Sequence, residues 1–139
     1  MRLNKIIITG GATRIGAAIA ESLANYDTEI SIHYNKSKSD ALKLKDKLKK
    51  LGAQIHLFKA DLNNFKQTQN LLKLANKKMK GVDCLINNAS LFENDNLQNF
   101  SEKSFSKHIN INLKAPAILT QNFKKILNKS EGCIINIID

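Results

Sequence analysis

Three observations predict an α/β fold, a doubly wound parallel sheet of about five strands in the order 3-2-1-4-5. Short apolar runs alternate with segments of helical period, the connections between them are short, and a glycine-rich turn separates the first run from the first helix. Such alternation marks strand–helix–strand units, whose parallel strands require helical crossovers on the faces of the sheet. In that architecture a ligand crevice lies where the strand order reverses, beside strand one.

Residues 3–9 read as the first strand and 14–26 as a helix with Ile15, Ile19 and Leu23 on one face. A second strand at 28–34 leads to a Lys-rich helix at 39–51, where Ala41, Leu44, Leu48 and Leu51 keep the helical period and Gly52 suits the C-terminal cap. A strand at 54–60, a helix at 64–80 ending at Gly81 and a strand at 82–88 follow. After a polar loop, one long helix is expected over 101–128 and a last strand over 132–138. No repeat, linker or low-complexity segment divides the chain, so residues 1–139 form one domain. The final strand, "CIINIID", would be an apolar sheet edge with nothing following to cover it. The domain therefore reads as incomplete at its C-terminal side, truncated after strand five.

With 42% hydrophobic and 24% charged residues, the composition is that of an ordinary globular domain. The run Ile6-Ile7-Ile8 is too short for a membrane span or a signal-peptide core. The net charge of +10 invites a nucleic-acid reading, but Arg2 and Arg14 are the only arginines, so 20 of the 22 basic residues are lysines. These are spread along helices also rich in Asn and Ile, as A/T-rich codons produce, with no basic block interleaved with aromatics. A solvated lysine surface is the better reading, with neither nucleic acid nor membrane as a partner. Cys84 and Cys133 stand in different apolar runs without CxxC or His clustering, so free buried thiols in a reducing cytoplasm, and no metal, are expected.

The turn "ITGGATRIGAAIA" joins strand one to the first helix. Gly10, Gly11 and Gly16 let backbone amides approach a pyrophosphate, and the helix N-terminus favours the anion. A strand before and a helix after raise this above a merely tight turn and make it a dinucleotide loop of a Rossmann-type sheet. Its spacing is Thr9-Gly10-x-x-x-Arg14-Ile15-Gly16. A cation at a helix start opposes the macrodipole, so Arg14 is either a plain surface residue or one placed for an anionic partner. At the end of strand two, NAD-binding folds place an acid for the ribose hydroxyls. Here the segment is His33, Tyr34, Asn35, Lys36 and Ser37, with no acid. Lys36, Ser37 and Arg14 suit a 2′-phosphate that an acid would repel, so NADPH is favoured over NADH.

Asp61 and Leu62 follow strand three, where Asp61 could meet the adenine amine or cap the next helix. Strand four ends in Asn87, Asn88, Ala89 and Ser90; adjacent asparagines can bridge neighbouring strands, and small Ala89 admits a nicotinamide ring. Asn112 and Pro116 are four apart, so the proline removes the helical bond to the Asn112 carbonyl. That is either a simple kink or a carbonyl offered to an ordered water.

With the loop, Asp61, "NNAS" and "NINLKAP" in order, the chain resembles the short-chain dehydrogenase/reductase superfamily from end to end. Within it, the resemblance is nearest to the pteridine reductases, which carry Arg in the glycine loop, HY-x-(R/K)-S, and NNAS. The resemblance implies that Ser90 and Phe92 contact an oxidised pterin or folate, Phe92 stacking opposite the nicotinamide. It also implies that Asp139 stands where other members have a catalytic Ser, and that the Asn112 carbonyl joins a proton relay. A 3-oxoacyl reductase is the enzymatic alternative, opposed by Arg14, Ser90, Phe92 and Asp139. Family members continue through a helix bearing Tyr-x-x-x-Lys, and many are homo-oligomers. Here Tyr34-x-x-x-Lys38 matches only by letters, since it follows strand two. The expectation is an NADPH-dependent reductase represented by its N-terminal portion, inactive alone. A remnant or a nucleotide-binding module without catalysis is the other reading.

Overall fold

The structure, a computed structural model, describes residues 3–127 and 131–138. Five parallel strands form one sheet in the order β3-β2-β1-β4-β5, the order expected from the alternation. They are β1 (Lys5–Ile8), β2 (Glu29–Tyr34), β3 (Gln54–Lys59), β4 (Cys84–Asn87) and β5 (Cys133–Asn136). The helices are α1 (Arg14–Leu23), α2 (Lys38–Lys50), α3 (Phe65–Met79), α4 (Glu102–Ile109) and α5 (Ala115–Ile126). Register runs Ile6↔Ile30 between β1 and β2, Ile7↔Leu85 between β1 and β4, and Leu85↔Ile134 between β4 and β5.

Strand alternation divides the core in two, because successive side chains leave opposite faces of a sheet. Ile6, Ile8, Ile30 and Ile32 pack with Ala20 of α1 and Ala41, Leu44 and Leu48 of α2. Ile7 and Leu85 pack on the other face with Leu71, Leu72, Ala75 and Met79 of α3 and Leu119 and Phe123 of α5. Strand β1 is thus apolar on both sides, which is why it reads as the unbroken run Ile6-Ile7-Ile8 rather than as an alternating pattern.

Three differences from expectation have a visible cause. Helix α1 stops at Leu23 rather than 26. The Asn25 amide donates to Thr28 Oγ1 at 3.0 Å and the Asp27 amide to Asn25 Oδ1 at 2.9 Å, a side-chain turn that competes with helical bonding. Helix α3 begins after Asn64, whose Oδ1 accepts from the Gln67 amide at 3.0 Å, so Asp61 is not its cap. The expected long helix is two helices joined by a π turn, Asn110–Lys114, in which the Ala115 amide donates to the Asn110 carbonyl. Pro116 follows at the start of α5. Its missing N–H and its ring clash with the carbonyl four residues back disfavour a regular α turn there, and the wider turn absorbs the break.

Strand β5 lies on the sheet edge with Ile134, Ile135 and Ile137 partly exposed, Ile135 at 42%. Cys84 and Cys133, distant in sequence, are register partners across β4 and β5. Cys84 is buried and Cys133 only half-buried; burial, then Cys133, push the Cys84 thiol up to about 12. Among the described residues, no helix is long and apolar enough to cross a membrane.

Candidate functional site

The C-terminal ends of β1, β2, β3 and β4 meet around the glycine loop. Gly10 has φ +60, and a Cβ there would stand 2.9 Å from Ala89 Cα, so the loop and the end of β4 touch through two small residues. A Cβ on Gly16 would stand 2.3 Å from the Gly10 carbonyl oxygen and 2.5 Å from Asn88 Nδ2. Thr9 and Asn88 lock this junction. Thr9 Oγ1 accepts from the amides of Asn88 and Ala89, both at 3.0 Å, while Asn88 Nδ2 donates to the carbonyls of Thr9 at 2.9 Å and Gly10 at 3.1 Å. On the other side of β4, Asn87 Nδ2 donates to Asn136 Oδ1 at 2.8 Å. The adjacent asparagines therefore bridge two different strand pairs, as their pairing suggested.

The glycine amides are used differently from the expectation. The Gly10 amide donates to His33 Nδ1 at 3.1 Å and the Gly11 amide to the His33 carbonyl at 3.0 Å. Those amides are consumed inside the protein, which leaves an anion the first turn of α1, where Arg14, Ile15 and Gly16 have no helical acceptor. That terminus is open: Thr13 makes no side-chain cap and the first turn holds no acid. Ile15 is 58% exposed. Arg14 occupies the left-handed region at φ +51, a conformation costing a non-glycine residue about 1–3 kcal/mol. Strain of that size at an exposed arginine on a helix start favours the anion-binding alternative over a plain surface residue.

His33 is 2% exposed, and its Nε2 lies 3.0 Å from the Ala60 carbonyl. Both ring nitrogens are occupied, so its side chain serves the loop rather than touching a cofactor through hydrogen bonds. Burial holds its pKa below the ordinary value, against the opposing Ala60 bond and the charge of Asp61. Tyr34 and Asn35 follow at the mouth of the crevice, half-buried, and Lys36 is exposed. Ser37 precedes α2 without capping it through its side chain, and Asp40 stands in the first turn of that helix. Tyr34 ends β2 and Lys38 begins α2, and that Tyr-x-x-x-Lys does not lie along one helix.

At the end of β3, Asp61 Oδ1 accepts from the Asn63 amide at 2.9 Å and its own amide donates to Gln67 Oε1 at 2.7 Å. The Leu62 side chain is buried in the core, and its carbonyl accepts from Thr68 Oγ1 at 3.2 Å. Any contact of Leu62 with an adenine is left to its backbone.

The segment after β4 carries exposed Ser90 and Phe92, the latter 82% exposed. One stripe of the helix beyond it holds this segment, a device the sequence reading missed. Asn112 Oδ1 accepts from the Leu91 amide at 2.7 Å and its Nδ2 donates to the Leu91 carbonyl at 2.8 Å. The Glu93 amide donates to His108 Nε2 at 3.1 Å, and Lys107 pairs with Glu93. Ser104 Oγ donates to Asp95. Positions 104, 107, 108 and 112 share one helical face, which was the available signal. Phe92 stands between the two fastened backbone positions. Asp139 lies outside the described residues.

The pattern of the family described as short chain dehydrogenase matches residues 4–138. FolM alternative dihydrofolate reductase 1 from Brucella canis, complexed with NADP, superposes with a TM-score of 0.88 at 32% identity, covering 96% of this chain and 55% of that one. A short chain dehydrogenase from Burkholderia cenocepacia J2315, in complex with NADP, gives 0.90 at 27% identity, covering 96% and 54%. An uncharacterised oxidoreductase of Methylorubrum extorquens is 28% identical over 131 residues, 94% of this chain and 52% of its own length. The chain spans about half the length of these relatives. On its sheet order, its glycine loop and a family match along nearly its whole length, the chain belongs to the short-chain dehydrogenase family.

Proposed function

We propose that this chain is the NADPH-binding portion of a reductase of the pteridine-reductase type, acting on a dihydropterin or dihydrofolate. The observation that carries the reading is Arg14, held at φ +51 on an uncapped helix start. The loop it follows is bonded to the acid-free segment that runs from His33 to Lys36 and Ser37. Three features fit a dinucleotide: the open N-terminus of α1, a Gly10–Ala89 contact that a Cβ would fill, and no carboxylate in the segment from His33 to Ser37. In this reading the first-turn amides of α1, with Ile15 and Gly16, hold the pyrophosphate. Arg14, Lys36 and Ser37 take the 2′-phosphate, and Tyr34 and Asn35 border the adenosine. Asp61 and the Leu62 backbone lie by the adenine, and Asn88 and Ala89 by the nicotinamide. When bound, the cofactor supplies a hydride. Ser90 and Phe92 then border the substrate, and Asn112 and Asp139 serve the proton relay.

The pterin assignment is supported by Phe92 and by the likeness to a protein named as an alternative dihydrofolate reductase. Hydride addition also needs a poised proton donor. In this reading the 139 residues serve the dinucleotide, and no Tyr-x-x-x-Lys follows β5 within them. Any homo-oligomer belongs to the same proposal. Titration of the purified chain with NADPH and NADH is the test. The expected result is NADPH tighter by about tenfold or more, the worth of one charge-assisted phosphate contact. Equal or tighter NADH binding overturns the cofactor assignment.

A further inference from the structure

Gly10 is the pivot of the loop, and one ring decides which way its amide points. We infer that His33 is a positioning residue for the dinucleotide: its neutral imidazole, protonated on Nε2, draws the Gly10 amide inward and so sets the loop that offers the first turn of α1 to the phosphates. The inference rests on the dinucleotide reading above.

The tautomer follows from the partners. The Ala60 carbonyl can only accept, so Nε2 must carry the proton at 3.0 Å. The Gly10 amide can only donate, so Nδ1 must be bare at 3.1 Å. Neither the other neutral tautomer nor the imidazolium offers an acceptor to Gly10. The ring thereby ties three strand ends together, since it sits on β2, holds the loop after β1 and reaches the residue after β3. The main chain doubles the link, because the Gly11 amide donates to the His33 carbonyl and the Ala60 amide to the Tyr34 carbonyl. Ala89 also packs close to Gly10, since its Cα would lie 2.9 Å from a Cβ built there. Asp61, beyond β3, is the charged group whose field reaches the ring, and it favours the cation; desolvation outweighs it and keeps the ring neutral. Gly10 and Gly11, which the loop brings to His33, carry no charge.

The test compares the 139-residue chain with two variants, H33N and H33Q. Asparagine places its carbonyl oxygen near the site of Nδ1 and can accept from Gly10. Glutamine places its amide near Nε2 and serves Ala60 alone. In the cofactor-free protein, nitrogen NMR is expected to show a bare Nδ1 and a protonated Nε2. Exchange of the Gly10 amide is expected to stay slow in H33N and to become fast in H33Q. NADPH affinity, read by the fluorescence of the bound dinucleotide, should stay within about threefold in H33N and fall about tenfold or more in H33Q, the worth of one buried hydrogen bond. A protonated Nδ1, or equal losses in the two variants, overturns the inference. If the NMR and exchange results hold but no form binds NADPH, the loop-setting role stands and the dinucleotide reading is what fails. Should H33Q not fold, the ring tautomer and the performance of H33N still decide the matter.

Discussion

Replacing Arg14 by glycine separates what this residue does for the fold from what it does for a ligand. In the structure Arg14 has φ +51, which for an L side chain costs about 1–2 kcal/mol. Glycine adopts that backbone without a Cβ penalty, but it gives back about 0.5–1 kcal/mol through the greater freedom of the unfolded chain. The balance favours the variant by about 0.5–1 kcal/mol, or roughly 2–4 °C in Tm for a domain of this size. Binding moves the other way. A charge-assisted contact to phosphate is worth about 1.5–3 kcal/mol, and solvent exposure at this helix start places it near the lower end. NADPH affinity should therefore fall about tenfold at physiological ionic strength and less in high salt, while NADH affinity holds. Thermal melts and paired NADPH and NADH titrations of both proteins measure the two halves. A lower Tm in the variant would refute the strain argument. Equal losses for both dinucleotides would move Arg14 from the 2′-phosphate to the pyrophosphate.

Gly16→Ala drives a methyl group toward the Gly10 carbonyl at 2.3 Å; the expected cost is about 1–3 kcal/mol in urea denaturation, with dinucleotide binding lost, and wild-type affinity would count against the geometry. The His33 pKa lies below its unfolded value, so the unfolded chain takes up the proton first as pH falls. The ring's contribution to stability is complete above about pH 6.5 and declines below it by at most about 1.4 kcal/mol per pH unit. The urea midpoint of the wild type should thus drop faster than that of H33N between about pH 7 and 5, and parallel curves would exclude the effect. Asn112→Ala removes both bonds to Leu91, and exchange of the Leu91 amide should accelerate about tenfold while the global unfolding midpoint moves little. Unchanged exchange would show that the segment holds without the clamp.

Helix and strand positions were readable because burial of each face imposes a period on the residues, as Ile6-Ile7-Ile8 and the Ala41-Leu44-Leu48 stripe illustrate. Boundaries were less readable where side chains compete with the backbone. The Asn25–Thr28 turn cut α1 short, Asn64 rather than Asp61 capped α3, and Pro116 converted one helix into two. Of the candidate site, the glycine loop and the strand-end segments were found at their expected places in the sheet. The roles of single groups within them were not. Leu62 turned its side chain into the core, and the Gly10 and Gly11 amides turned toward His33.

The sequence alone determined the alternation of strands and helices, the glycine loop after β1 and the absence of an acid at the end of β2, since each follows from local pattern and residue type. Only the tertiary structure decided that His33 is a buried brace, that Cys84 and Cys133 are neighbours, and that Asn112 holds Leu91. Each of those facts joins residues far apart along the chain, which no local pattern relates. They arise from the register between strands and from the direction a side chain takes once its strand or helix is packed.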